Sequence, residues 1–309
     1  MIAMKNRTVL ITGATGYLGN SIKSQFLVAG WKVLTAGRTS ASFVNMDFSN
    51  PNSILSSPSI GKPIDLCVHL AASHEVACAT NPLLAMTVNV LGTRALMEWC
   101  IKQSIPSFTY ISTFHVFGTN IGLLTELVKP MPLNDYGLTH LLAEETVALY
   151  GSRGDISIKI IRPSNIIGAP AEWSHFSRWT LAPFDFCLQA ARNQHIILRS
   201  SGNQIRNWVE LVFFSKKVLK LSTEQGPAIH HIPGENLSIN KLAEVVAESW
   251  EKNFGKKIFI TRAKSNLDAQ EPDRDFHSIH GPGTGVPDID SFVLSVGSHI
   301  YSFKKHDVL

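Results

Sequence analysis

Two periods alternate along the first half of the chain. Short runs of consecutive apolar residues, rich in β-branched side chains, are separated by stretches in which apolar residues recur every three or four positions. Thr8–Ile11, Lys32–Ala36, Phe43–Met46, Asp65–Leu70, Phe108–Ser112 and Ile156–Ile161 read as strands. Leu18–Ala29, Ala85–Gln103 and Tyr136–Tyr150 read as helices. Val88, Leu91, Ala95, Leu96 and Trp99 lie at helical spacing in the second, and Gly30 stops the first. Strands apolar on both faces and joined by crossover helices predict an α/β fold, a doubly wound parallel sheet covered on both sides. Beyond Gly168 the alternation loosens, and Trp, Phe and Pro gather between residues 170 and 190. The expected division is a sheet domain over 1–168 and a smaller mixed α/β lobe over 169–309, with segments around 203–232 returning to the first.

Composition narrows the classes. The chain has 309 residues, enough for about two domains. Hydrophobic residues make up 44%, which rules out disorder as the main state. Charged residues are only 17%, yet no apolar run approaches the ~20 residues of a spanning helix. Val9–Ile11 meets Gly13 too soon to be the core of a secretion signal, so a cytoplasmic location is expected. The net charge of +4 is scattered, with no basic block of the kind that tracks nucleic acid. Cys67, Cys78, Cys100 and Cys187 form no CxxC pair and read as free thiols. No Cys/His pair has ligand spacing, and His230 and His231 point to opposite faces of an extended segment, so no metal site is expected.

The first strand runs into Thr12-Gly13-Ala14-Thr15-Gly16-Tyr17-Leu18-Gly19. Glycines there permit a tight turn, admit a pyrophosphate to the backbone and let the next helix pack close, and that helix start supplies free N–H groups. A dinucleotide site is therefore expected. After the second strand an acidic residue would bond a ribose 2′-hydroxyl. Gly37-Arg38 stands there instead, with room and charge for a 2′-phosphate, so NADP is preferred over NAD.

With these residues in place the chain resembles an extended short-chain dehydrogenase/reductase, of the NAD(P)-dependent epimerase/dehydratase family that works on nucleotide sugars. The likeness covers about residues 7–250 and rests on ordered motifs. Gly13-x-x-Gly16-x-x-Gly19 matches the family fingerprint, and Asp47-Phe48 its adenine contact. His69-Leu70-Ala71-Ala72 matches the loop along the cofactor, and Asn89-Val90-Leu91-Gly92-Thr93 a helix segment beside it. Ser112-Thr113-Phe114-His115 occupies the catalytic Ser/Thr loop, Tyr136-x-x-x-His140 the Tyr-x-x-x-Lys position, and Arg162-Pro163-Ser164-Asn165 the segment between nicotinamide and substrate. Gln204-Ile205-Arg206-Asn207 resembles the motif whose arginine holds the substrate's pyrophosphate.

The resemblance implies a Rossmann-type fold and three sets of residues. The cofactor would meet Gly13, Thr15, Gly16, Tyr17, Leu18, Gly19, Arg38, Asp47, Phe48, Leu70, Ala71, Ala72, Asn89, Ser112, Tyr136, His140 and Pro163. A nucleotide-sugar substrate would meet Thr113, Phe114, His115, Asn165 and Arg206, and catalysis would fall to Thr113, Tyr136 and His140. It also implies a homodimer through helices Ala85–Gln103 and Tyr136–Tyr150; Leu96, Trp99 and Leu149 are compatible with outer faces there and equally with the core.

Chemistry gives these roles content. A tyrosine hydroxyl can protonate an alkoxide or accept its proton, and Thr113 can donate a second bond to the oxyanion. Two departures limit the reaction. His140 replaces the lysine, sharing a helix face with Tyr136, and it should acidify the tyrosine less; activity is expected to follow the charge of this pair. Phe114-His115 replaces the Asp-Glu of 4,6-dehydratases, which disfavours dehydration and leaves keto-sugar reduction or epimerisation. Glu172 and His175 are candidates for further acid/base groups, though surface or packing roles suit them better. A non-catalytic dinucleotide-binding sensor and a reductase of a non-nucleotide carbonyl stay open as alternatives.

Overall fold

Seven parallel strands form the central sheet of the computed structural model, which describes residues 7–39, 42–174, 176–262, 274–281 and 285–303. Their order is Ile229–Ile232, Ser157–Pro163, Ser107–Ile111, Leu66–His69, Thr8–Thr12, Lys32–Gly37 and Val44–Asn45. The winding starts at Thr8–Thr12 and proceeds outward on both sides, as in a Rossmann-type sheet. The direction therefore reverses beside the first strand, and ligands sit at such reversals. Continuous apolar runs such as Val9-Leu10-Ile11 are fully buried because helices cover both faces. Six of the strands match the runs read from the sequence to within two residues. The seventh, Ile229–Ile232, falls within the stretch expected to return to the first domain and holds the two histidines read as extended.

The helix expected over Ala85–Gln103 begins earlier, at Pro82, behind an Asn81 side chain that accepts from the Leu84 N–H. It contains one π-helical turn, Thr87–Leu91, before continuing to Lys102. Leu96 and Trp99 are buried against the sheet, because the helix packs that face on the core. Of the two readings left open for them, outer face and core, the core takes both. Leu91 and Leu149 are exposed.

The smaller lobe has its own core around Phe184, Val246, Trp250 and Phe292. Helices Ala182–Asn193, Ile239–Phe254 and Ile289–Phe303 enclose it. A three-stranded sheet places Ile205–Glu210 between Glu235–Ser238 and Asn165–Ile167. The chain then returns: helix Leu211–Thr223 packs on Tyr17–Val28, with a Ser215–Ser21 hydroxyl bond of 2.8 Å, and Ile229–Ile232 completes the large sheet.

One buried ion pair joins the helix Asp135–Ser152 to the sheet. Arg162 reaches Glu144 with Nη2 at 2.6 Å and Nε at 2.9 Å, and Ser112 Oγ donates to the same carboxylate at 2.5 Å. Both charged side chains are at most 4% exposed. Removing one member of such a pair leaves the other charge buried alone. Glu144→Ala should therefore destabilise the fold by about 3–5 kcal/mol in urea unfolding, and a loss under about 1 kcal/mol would show that Arg162 finds water or another partner.

Candidate active site

A cavity of about 570 Å³ opens at the carboxyl ends of the strands, between the sheet and the smaller lobe. Its first wall is the glycine turn. Gly13 has φ +68°, and a Cβ there would lie 2.9 Å from the Ala71 nitrogen. A Cβ on Gly19 would fall 2.1 Å from the Gly13 carbonyl oxygen. Only glycine permits both approaches. Helix Tyr17–Val28 starts at Gly16 with no side-chain cap and no acidic residue in its first turn. Its leading N–H groups thus stay free for an anion, and the residues fit a dinucleotide phosphate. Leu18 borders the cavity and Thr15 is exposed beside it. Tyr17 lines the cavity too, with its hydroxyl donating to the Gly168 carbonyl at 2.8 Å and its ring edge-on to Phe176 and Phe184.

Several motif residues direct their side chains inward. Asn89 Oδ1 accepts from the Ser73 N–H at 2.6 Å, and its Nδ2 donates to Thr139 at 2.9 Å. Phe48 stacks on His69 at 5.1 Å within the core, so it can offer a ligand only its backbone. Ser112 gives its hydroxyl to Glu144. Asn89 and Phe48 position their neighbours from behind the cavity wall, while Ser112 also lines the cavity. Leu70 and Ala72 line the cavity, while Ala71 backs the glycine turn. Arg38 is exposed at the end of its strand and lies near Asp47, whose carboxyl is lowered chiefly by its bonds from Ser49 and then by Arg38.

The catalytic candidates meet on another wall. Thr113 ends the extended segment and accepts from the His115 N–H at 3.2 Å, which leaves its own hydroxyl proton to give. Asn134 caps helix Asp135–Ser152, and Gly137 lets that helix approach the His115 carbonyl. Tyr136 thereby lies 4.7 Å from the His140 ring and 5.5 Å from that of His115. Burial and the nearby Glu75 push the Tyr136 hydroxyl up to about 12, against the opposing bond with Thr113. Burial drives His140 down to about 3 and His115 to about 4, so both rings are neutral. His140 Nδ1 is bonded to the Tyr110 hydroxyl at 2.7 Å. The expected change of charge near neutral pH is therefore absent: desolvation, not the reference value, sets this histidine. Pro163, Asn165 and Arg206 complete the cavity, and Asn165 gives one N–H to the Asn207 carbonyl at 3.0 Å. Phe114 packs beside His115 at 4.3 Å.

Residues 9–211 match the model of the NAD dependent epimerase/dehydratase family. The chain belongs to that family. A putative UDP-glucose 4-epimerase of Methanocaldococcus jannaschii is 27% identical over 251 residues, 77% of this chain and 81% of that protein. A mouse dTDP-D-glucose 4,6-dehydratase is 27% identical over 185 residues, 59% of this chain and 50% of that protein. The structure of a UDP-glucose 4-epimerase from Thermotoga maritima with UDP-glucose superposes with a TM-score of 0.78, covering 96% of this chain and 99% of that one. At 16% identity this last likeness is one of fold.

Beside the family's motifs the cavity holds a pair that sequence reasoning missed. Arg178 Nη2 spans Glu75 Oε1 and Oε2 at 2.5 and 2.7 Å, joining the smaller lobe to the helix Glu75–Thr80. The partners are 103 positions apart and no local pattern links them. Glu172 is exposed and outside the cavity, and His175 lies outside the described residues. No group of His, Cys, Asp or Glu suited to a metal occurs among the described residues, and no described helix is long and apolar enough to cross a membrane. All four cysteines are free and buried.

The buried histidines give a pH prediction. His69 and His140 are both lowered to about 3, so between about 3 and the unfolded value near 6.5 the unfolded chain binds more protons. Their contribution is whole above about 6.5 and is lost as pH falls, with a slope of at most about 1.4 kcal/mol per pH unit for each. Urea unfolding at about pH 7.5 and about pH 5 should show this loss, and His140→Gln should remove one histidine's share. An unchanged slope in that variant would mean that His140 binds its proton equally well in the folded and unfolded chain.

Proposed function

We propose that this chain is an NAD(P)-dependent enzyme of a nucleotide-linked sugar, a keto-sugar reductase or epimerase with Tyr136 as its acid/base group. The observation that carries the reading is the meeting of Thr113, Tyr136 and His140 in one cavity with an uncapped helix start and Arg206. The bound nicotinamide supplies the hydride acceptor or donor. Tyr136, held as the neutral phenol, donates its proton to the oxygen of the reacting carbonyl. Thr113 donates a second bond to the same oxygen as charge develops on it. Arg206 pairs with the substrate diphosphate beside Asn165. A protonated tyrosine is ready to give and poor at taking, so reduction should outrun oxidation. Dehydration is outside this reading, since Phe114 has no acidic group and His115 is neutral.

The same reading includes preference for NADP through Arg38, a cytoplasmic location, and a homodimer through the helices carrying Leu91 and Leu149. The test begins with a thermal-shift screen of NADPH, NADH and sugar nucleotides, since a bound ligand raises stability by RT ln(1 + [L]/Kd). Turnover of the stabilising pair should then be almost abolished in Tyr136→Phe; undiminished activity would exclude the tyrosine as the acid. Wild-type protein that binds cofactor and turns over no sugar nucleotide would favour a non-catalytic dinucleotide-binding module.

Two binding measurements follow. Arg38→Ala should weaken NADPH by about 1.5–3 kcal/mol while sparing NADH; equal wild-type affinities for the two would refute the preference. Arg206→Ala should weaken the sugar nucleotide and leave cofactor binding nearly unchanged. The reverse pattern in titration calorimetry would place Arg206 in the cofactor site.

A further inference from the structure

Glu75 and Arg178 meet at the cavity, one from the sheet domain and one from the smaller lobe. Both line it, and both keep accessible surface, 42% and 19% of their side chains. Arg178 Nη2 donates to both Glu75 oxygens, and among the described residues Arg178 makes no other hydrogen bond, so Nε and Nη1 are unused. Burial opposes the Glu75 charge, but the bond from Arg178 and the arginine's own charge hold the carboxyl below its ordinary value. The pair is therefore ionised at neutral pH. Of the described residues that line the cavity, only Glu75, Arg178 and Arg206 are charged there. His115 and His140 are neutral, and desolvation lowers His74 as well. Arg206 is given to the diphosphate in the reading above. The two charges that remain cancel each other.

The pair stands close to the reacting group. Burial is the main influence on the Tyr136 hydroxyl; after it, Glu75 pushes the hydroxyl up and Arg178 pushes it down. A sugar whose carbonyl meets Tyr136 and whose diphosphate meets Arg206 therefore brings its ring substituents beside the pair. A hydroxyl there can donate to a Glu75 oxygen and accept from an unused Arg178 N–H, and no charge is displaced. A carboxylate has a worse choice. The cation that would answer it is already bound by Glu75, and the Glu75 charge repels it. We propose that Glu75 determines specificity: by neutralising Arg178 it limits the site to sugars with uncharged ring substituents and excludes those that bear a carboxylate. The proposal rests on the functional reading for the place of the sugar and goes beyond it in naming the sugar's charge.

Titration calorimetry with UDP-glucose and UDP-glucuronate in the presence of NADPH tests this, since the reduced cofactor leaves both sugars unreacted. The wild type should bind UDP-glucose more tightly by about tenfold to hundredfold, the range of one hydrogen bond to a charged group. Glu75→Gln keeps the volume and removes the negative charge, which frees Arg178 to pair with the glucuronate carboxylate. That variant should gain affinity for UDP-glucuronate by a similar factor, and the preference should narrow or reverse. The gain should vanish in the double variant Glu75→Gln/Arg178→Met, which has no cation to offer. A merely structural role for Glu75 would weaken both nucleotides alike and leave their ratio unmoved. An unchanged ratio in Glu75→Gln would overturn the proposal, and so would a gain that persists without Arg178. Equal affinity of the wild type for the two sugars would overturn it whether or not the variants fold, and would leave the functional reading standing. Failure of the wild type to bind either nucleotide would overturn the functional reading, and the specificity role with it.

Discussion

The hydroxyl of Thr12 holds the two loops from which the cleft is built. It accepts the N–H groups of Leu70 and Ala71 at 3.1 and 3.2 Å and meets His69 Nδ1 at 2.6 Å. His69 Nε2 reaches Thr93 at 2.9 Å, and Thr93 donates to the Asn89 carbonyl. Directions follow from that last bond. Thr93 accepts from His69 Nε2–H, so Nδ1 accepts from Thr12, and the Thr12 oxygen is free to take two backbone donors. The Asn89 side chain continues the chain to Thr139, next to His140. A buried line of polar groups thus runs from the glycine turn to the helix that carries Tyr136, each donor matched to an acceptor, and the low surrounding dielectric makes any break in it costly.

This arrangement requires His69 to be neutral, and burial makes it so. The same desolvation neutralises His115 and His140. Among the charged groups close to Tyr136, Arg178 is matched by Glu75, and Arg162 is matched by Glu144 behind the helix. Arg178 and Arg162 therefore offer the tyrosine no unpaired positive charge. Its proton is held tightly, chiefly because burial disfavours the charged phenolate.

Motifs announced which residues belong to the region more reliably than what each side chain does. Gly13 and Gly19 act as their type requires, because a backbone approach admits no other residue. Asn89 and Phe48 stand at family positions but face the interior. Leu96 and Trp99 fit an amphipathic stripe, and a stripe alone does not say whether it faces the sheet or a second subunit. Here the sheet takes it.

The alternation of strands and helices, the parallel sheet and the glycine turn were determined by the sequence itself, since each depends on neighbours a few residues away. Side-chain period, turn conformation and helix start are local properties. The Glu75–Arg178 bridge, the inward turn of Asn89 and the pairing of His140 with Tyr110 were decided only by the tertiary structure. These depend on which groups the fold brings together and on how much water it removes. Charge state is the clearest case. The sequence names a histidine at position 140, but its proton affinity follows from the dielectric and the partners around it, and those come into being when the helix Asp135–Ser152 docks on the sheet.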